Sequence, residues 1–400
     1  MFLSNLSRFA SSPIREEDSI AADLLKKGKK VIKLNTGDPA KYFKTPERVI
    51  NAYIAALKKN DTYYSDSQGL LLLREAIAQR HAELYNLNIG AERILITQGI
   101  SEALQFINIA LIDRGDKAVM VRPYYPSYMP YISIVGGKVI FADADEQNNW
   151  SINTDELKKS IKGVKGIKYM LITTPNNPAG YVLSRKMLSE IVDIANDNDM
   201  FLISDEIYDE LVFKGGFTSL SEVAKGIPYM ILNGMSKNFN ATGFRLGYML
   251  LPNEDEKSTQ LLAKLIDLAR MRLSANTPAQ FAFAEGLRDP KAHAKEVSYL
   301  REAIKKRVEF TAKKVNKSSY MHAVMPSGAF YVFPKITMEK LALGSDKEFV
   351  SKLLLEDYVQ VTRGSGFGMP GHIRIVALPS TDVLGEAIEK IEGFCKRHSK

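Results

Sequence analysis

The 400-residue chain has a single cysteine, Cys395, so it can close no internal disulfide and assemble no cysteine-based metal site. That scarcity fits a reducing compartment. Apolar runs long enough to span a membrane are missing too, and the first residues, MFLSNLSRFASSPIREED, have no long apolar core of the kind a targeting leader carries. Internal repeats and low-complexity linkers are absent. Lysine and arginine outnumber the acids to a formal charge of +8, but they are spread along amphipathic segments such as 291–316. No helix-turn-helix, zinc or RNA-binding signature accompanies them. Neither nucleic acid, nor membrane, nor metal is therefore expected as a partner, and the expected location is cytoplasmic.

What is present is an ordinary globular composition, 45% apolar and 25% charged, long enough for a large α/β unit with a smaller companion. Seven short apolar runs are each bounded by Gly, Pro, Asn or Asp: ERILIT (92–97), KAVMVRP (117–123), KVIFADA (138–144), KYMLITT (168–174), MFLISDE (200–206), YMILNG (229–234) and LGYMLLP (246–252). Helical patterns at 101–114 and 184–199 alternate with them, which predicts βαβ units around a mostly parallel sheet. Past residue 290 the pattern becomes one long amphipathic helix with Val297, Leu300, Ile304, Val308 and Val315 on its apolar side. Strand-like GAFYVFPKI (328–336) and HIRIVALP (372–379) follow. These features predict an N-terminal arm over 1–40 packed with the smaller unit, a large domain over 41–290 and a small domain over 291–400.

In an open parallel sheet, ligands bind beyond the carboxyl ends of the strands. Five runs lead there into polar loops: TQGISEAL, RPYYPSY, TPNNPAG, SDEIYDE and GMSK. Gly99, Ile100 and Ser101 would offer backbone N–H groups and a hydroxyl at a helix start, which favours an anion; a plain serine cap is the simpler alternative. Arg245, in NGMSKNFNATGFRLGY, supplies a forked cation for the same anion, and Ser236 a hydroxyl. Lys237 is a nucleophile only if burial or a nearby cation removes its proton. Joined as an imine to an aldehyde cofactor bearing a phosphate, it would explain why a lysine and anion ligands share one loop; alone, it would read as a surface lysine.

Asp205 ends an apolar run, where a carboxylate is costly unless paired. A pyridinium nitrogen would pair it, and a helix cap is the alternative. Tyr208 and the Asn177 amide could donate to the phenolic oxygen of such a ring, and Tyr125 could stack on it; singly they read as core or turn residues. The Asn177–Pro178 bond is a candidate for the cis form. Arg374, among Ile373, Ile375 and Val376, is costly to bury without an anion.

These loops, in this order, resemble those of the class I/II pyridoxal-phosphate aminotransferases of fold type I, over nearly the whole chain from LNTGDP (34–39) to HIRIVAL. NTPAQFA (276–282), GAFYVFPKI, DKEFV (346–350) and GSGFG (364–368) are similar to the archaeal alanine aminotransferases. The resemblance implies a three-layer large domain with a seven-stranded mostly parallel sheet and a smaller α+β domain. It implies pyridoxal 5'-phosphate held by Lys237, which then moves the substrate proton. Asp205 would pair with the ring nitrogen, Asn177 and Tyr208 with the ring oxygen, and Tyr125 with the ring face. Gly99, Ile100, Ser101, Ser236 and Arg245 would cradle the phosphate. Tyr64, in YYSDSQG, would reach the partner's phosphate in a homodimer with shared sites. Arg374 would fork onto the substrate α-carboxylate, with Gly37 and Asn177 beside it.

Two departures stand out. Thr174 and Ala179 replace the usual Asn and Thr in TPNNPAG, so a bracing hydroxyl is missing. Gly234 stands where some relatives have a serine, leaving Ser236 as the hydroxyl near the phosphate. The implied reaction is a ping-pong transfer from a small L-amino acid, alanine foremost, to 2-oxoglutarate. The alternatives are an aspartate or broad-specificity (including aromatic) aminotransferase, and a carbon–sulfur lyase that keeps the same ring contacts.

Overall fold

A computed structural model describes residues 12–400, so residues 1–11 of the expected arm lie outside the described part. Alternate residues of the apolar runs part to opposite faces, as a period of two requires. Ile94, Ile96, Val119 and Val121 join one buried cluster, and Leu95, Ala118 and Met120 another. Both faces of the sheet are covered, the condition under which parallel strands read as near-continuous apolar runs.

Strands β1 (Ile94–Thr97), β2 (Lys117–Arg122), β3 (Lys138–Asp145), β4 (Ser151–Ile152), β5 (Ile167–Thr173), β6 (Phe201–Asp205), β7 (Tyr229–Gly234) and β8 (Gly247–Leu250) form one sheet in the order β1-β8-β7-β6-β5-β2-β3-β4. It has eight strands, a correction to the expected seven. The additional strand, β4, is a two-residue edge piece antiparallel to β3, too short to show any alternation. Strand β8 is antiparallel to both of its neighbours, while β2, β3, β5, β6 and β7 pair in parallel. Since β1 and β7 both oppose β8, the carboxyl ends of β1, β2, β5, β6 and β7 share one edge.

Helix α1 (Ile100–Leu111) begins one residue earlier than expected and stops at Ile112, which is already extended. In α2 (Arg185–Asp197), Ser184 caps the Met187 N–H, and Leu188, Ile191, Val192 and Ala195 bury one stripe. Asp289 caps α3 (Pro290–Val315), whose buried stripe runs through Val297, Leu300, Ile304, Val308 and Val315. None of the described helices is long and apolar enough to cross a membrane.

A further core unites Val308, Val315, Phe330, Ile373 and Phe394 with Ile32 and Leu34 from the start of the chain, and with Ile207, Tyr208 and Leu211 just past β6. Ile32–Lys33 pairs in parallel with Val359–Gln360. The run GAFYVFPKI splits into two-residue strands in different sheets, Tyr331–Val332 and Lys335–Ile336. The first of these, β9 (Tyr331–Val332), joins β10 (Thr362–Arg363) and β11 (Ile373–Val376) in the order β9-β11-β10. Through this seam Arg374 faces the strand ends of the large sheet.

Strands β7 and β8 meet at Gly234 and Gly247. A Cβ on Gly247 would lie 2.9 Å from the Gly99 carbonyl carbon and 3.0 Å from the Ile100 nitrogen. Glycine there lets the turn between β1 and α1 rest directly on β8. Gly247→Ala is expected to cost roughly 1–3 kcal/mol, the usual cost of overpacking. Gly243→Ala, whose Cβ would meet nothing within 4 Å, should be near neutral; urea denaturation of the two apoproteins compares them.

Candidate active site

Lys237 lies in a four-residue helix, Met235–Asn238, that continues β7. Its Nζ donates to the Gly37 carbonyl at 2.8 Å and stands 5.7 Å from the centre of the Phe330 ring and 6.0 Å from that of Tyr208. Removal from water pulls the ammonium pKa down to about 8, and Arg245 and Arg374 push the same way against Asp38 and Asp205. The neutral amine that the chemistry needs is therefore accessible near physiological pH.

Asp205 closes β6 and is 5% exposed. Its Oδ2 accepts from the Tyr128 hydroxyl at 2.7 Å, and its Oδ1 from the Ile207 N–H at 3.2 Å. Burial raises its pKa to about 6, although those two hydrogen bonds and the Lys237 charge pull it back. It is a strand-end carboxylate in need of a cation. The half-buried ring of Tyr125 sits edge-on to Tyr128, at 5.5 Å and 82°.

The loop after β1 opens as a cradle. Gly99, at φ +71°, is the residue before α1, so no side chain caps the helix and Ser101 does not act as its cap. The first N–H groups of a helix have no partner within it. A Cβ on Gly99 would lie 2.6 Å from Arg245 Nη2, so glycine leaves that guanidinium free to reach the helix start. Arg245 also donates through Nη1 to the Thr242 carbonyl at 2.8 Å. Ser236 is buried in the turn beside Lys237. A side chain at Gly234 would strike Gly247 Cα and the Leu246 carbonyl at 2.7 Å, which explains why no serine stands there.

Arg374 is 1% exposed, sandwiched between Tyr331 and Phe367 with its Cζ 4.7 and 4.8 Å from the ring centres. It donates to Asn177 Oδ1 at 2.9 Å and to the Asn35 carbonyl. Its Nε has no partner, and among the described residues its other nitrogens meet amide oxygens instead of a carboxylate. A buried cation lacking its anion is a costly arrangement that a carboxylate ligand would relieve. Asn177, in the loop after β5, precedes a cis peptide bond as expected. The brace missing at Ala179 is supplied otherwise: Asn176 accepts from the Ala179 N–H at 2.9 Å, and Thr174 Oγ1 from the Leu183 N–H at 3.0 Å.

The fold thus gathers Gly37, Gly99, Asn177, Asp205, Tyr208, Lys237, Arg245 and Arg374 around one seam. Tyr64 stands apart at 78% exposure, hydrogen-bonded to none of them among the described residues. Sequence patterns passed over Tyr128 and Tyr331, the latter sharing a 2.8 Å hydrogen bond between its hydroxyl and that of Tyr208. They also passed over Asp38, Asn35 and Phe367, of which Asp38 accepts from Thr242 at 2.6 Å. Only the phrase GAFYVFPKI had drawn attention near Tyr331. An anion cradle, a flat aromatic wall, a buried carboxylate and a half-buried amine together fit pyridoxal 5'-phosphate.

Residues 29–391 match the family model described as aminotransferase class I and II. The chain is 34% identical to an aspartate aminotransferase of Thermotoga maritima over 390 residues, which cover 97% of this chain and 98% of the relative. It is 31% identical to an alanine aminotransferase of Mycobacterium tuberculosis over 379 residues, 94% of this chain and 87% of the relative. The solved structure of an alanine aminotransferase from Pyrococcus furiosus has a TM-score of 0.94 at 37% identity, covering 99% of this chain and all of that one.

A carboxylate whose folded pKa is raised from 3.8 to about 6 lowers stability above that pH, and the cost disappears below the unfolded value, where both states bind the proton. Asp205→Asn keeps an acceptor for Tyr128. It should stabilise the apoprotein by up to about 3 kcal/mol at pH 8, with the gain fading as pH falls through 6 towards 4. Urea midpoints across that range measure it.

Proposed function

The chain belongs to the class I and II aminotransferases, and we propose that it moves the amino group of a small L-amino acid, alanine foremost, to 2-oxoglutarate, with Lys237 as the working amine. Pyridoxal 5'-phosphate, on which this class depends, supplies when bound an electron sink for the charge left on the substrate Cα. In this reading Lys237 anchors the cofactor and carries the proton that Cα loses. A pKa near 8 suits an amine that must both take and return a proton near neutral pH. Asp205 answers the positive ring nitrogen, Tyr125 backs the ring, and Gly99, Ile100, Ser101, Ser236 and Arg245 hold the phosphate. Since Asn177 Oδ1 already accepts from Arg374, its Nδ2 is the end left to donate to the ring oxygen alongside Tyr208.

The observation that carries this reading is Arg374, a buried guanidinium without an acidic partner among the described residues, facing the same seam as the amine. Its fork matches an α-carboxylate, while the flanking Tyr331 and Phe367 rings exclude water. A small neutral donor is supported by the charges that act on Lys237, namely Asp38, Arg245, Arg374 and Asp205. With one arginine given to phosphate and the other to the α-carboxylate, Asp38 is left to disfavour a second acid close to the reacting carbon. The distal carboxylate of 2-oxoglutarate lies one methylene further out than that of oxaloacetate. Aspartate as donor is the second reading, favoured by the likeness to the Thermotoga maritima enzyme.

The exposed Tyr64 supports a homodimer in which this hydroxyl meets the partner's phosphate; sedimentation as a monomer with full activity would remove that element. The lone and buried Cys395 supports a cytoplasmic setting.

L-alanine given alone to the loaded enzyme should release about one pyruvate per site, and sustained turnover should need 2-oxoglutarate. L-aspartate should be the poorer donor by kcat/KM, and the reverse ranking would transfer the assignment to the second reading. Lys237→Ala should lower turnover by roughly 100- to 10,000-fold, the range that a positioned acid–base group contributes.

A further inference from the structure

A helix of four residues has too few internal hydrogen bonds to hold its own shape, yet Met235–Asn238 must fix the Lys237 amine. Its anchor is the next residue. Asn238 is 4% exposed, and its Nδ2 donates to Asp209 Oδ1 at 2.7 Å and to Glu210 Oε2 at 3.1 Å. These two carboxylates directly follow Tyr208. The segment that carries one site residue therefore grips the segment that carries another.

Two buried acids side by side need compensation. Arg80, from the helix Leu71–Tyr85, donates through Nη2 to Asp209 Oδ2 at 2.6 Å and to Glu210 Oε2 at 2.8 Å. The Tyr85 hydroxyl donates to Asp209 Oδ2 at 2.7 Å. His293, near the start of α3, bonds Glu210 Oε2 at 2.9 Å, and its ring stacks at 4.4 Å on Phe239, two residues past the lysine. Burial opposes the Glu210 charge, but Arg80 and His293 outweigh it and hold the carboxyl below the usual carboxylate range. Three chain segments thus converge on one acidic pair just behind the lysine. A core with only packing to satisfy would reach the same density with apolar side chains and without the desolvation cost.

We propose that Asn238 and the Asp209–Glu210 pair, braced by Arg80, are positioning residues that fix the Lys237 amine relative to the Tyr208 hydroxyl. This rests on Lys237 being the working amine of the proposed transamination. None of these residues faces the seam, so their effect is on geometry: a displacement of about 1 Å of a reacting group can cost about 100-fold in rate. Substrate capture by Arg374, on the far side of the seam, is left alone.

The test is Asn238→Ala, with Arg80→Lys as a milder second variant whose ammonium ends one bond short of the Nη2 that meets both acids. In the holoenzyme, Asn238→Ala should lower kcat with L-alanine by roughly 10- to 100-fold while KM stays within about threefold. Arg80→Lys should fall between it and the parent. In the apoprotein, acetic anhydride should acylate Lys237 several-fold faster in Asn238→Ala, while solvent-facing lysines react as before. The charges that face the amine (Asp38, Arg245, Arg374 and Asp205) are unchanged by the substitution, so a faster reaction reports its position. An unchanged acylation rate with kcat within twofold of the parent would overturn the proposal. Parallel losses in kcat, KM and melting temperature would also overturn it, since they mark a clamp that serves folding alone. A parent enzyme that turns over no amino acid would instead strike the proposed function, and the acylation rates would still decide whether the clamp positions the amine.

Discussion

Burial of the Lys237 amine opposite the Asp205 carboxylate is the constraint around which the rest of the molecule is arranged. Each group is moved towards its neutral form by loss of water, the ammonium to about 8 and the carboxyl to about 6. Were they left to each other, a proton shared between them would satisfy both, and neither would do chemistry. The fold prevents that by giving each its own partners. The Gly37 carbonyl accepts from the amine, while the Tyr128 hydroxyl and the Ile207 N–H hold the carboxylate. The two stay apart, each incompletely satisfied. Binding a ligand that brings a cation to one and a carbon electrophile to the other recovers the free energy spent in their burial, and by linkage it stabilises the fold.

The parallel sheet explains why such costly groups can be collected at all. Strands buried on both faces carry few polar side chains along their length, so polarity concentrates where they end. Asp205 and Lys237 come from adjacent strand ends, β6 and β7, and the anion cradle comes from β1, two strands further along. The antiparallel β8 lies between, and its Gly247 allows the cradle to sit against it. Position in the sheet order thus separates a phosphate-sized anion site from the amine. The protein needs no long loops to do so.

Much of this is legible in the amino-acid sequence, and the reason is physical. A lysine after an apolar strand, an acid at the end of another and an arginine inside a third are each expensive, so their presence marks a use. The seven runs with two-residue alternation or continuous apolarity corresponded to strands, whereas Ser151–Ile152 was invisible because two residues have no period. The residues that escaped notice are those with ordinary explanations. Tyr128 and Tyr331 are aromatic residues in apolar surroundings, and nothing local distinguishes a packed tyrosine from one whose hydroxyl meets Asp205 or Tyr208. Asn35 acts through its carbonyl, which carries no side-chain signature. Asp209 and Glu210 sit in the quoted loop SDEIYDE with no local sign of their cation, because Arg80 lies 129 residues away from Asp209 in sequence.

Arg374 connects the smaller sheet to the strand ends of the large one. It belongs to β11, in the sheet beyond α3, yet one of its nitrogens reaches Asn177 at the end of β5 and the other reaches Asn35 from the start of the chain. Three separate stretches of sequence therefore meet at one guanidinium. Among the described residues its charge meets amide oxygens and two aromatic faces, which stabilise a cation without neutralising it. A carboxylate in place of Asn177 would have formed a closed ion pair and left the guanidinium with no capacity for a ligand. Neutral acceptors hold it in place and leave its charge unspent. The same choice fixes the direction of the Asn177 amide, because accepting from Arg374 turns the Nδ2 end towards the seam. In the proposed transamination, one hydrogen bond would thus orient a donor for the cofactor ring and a cation for the substrate, coupling recognition of the two molecules through a contact that touches neither reacting atom.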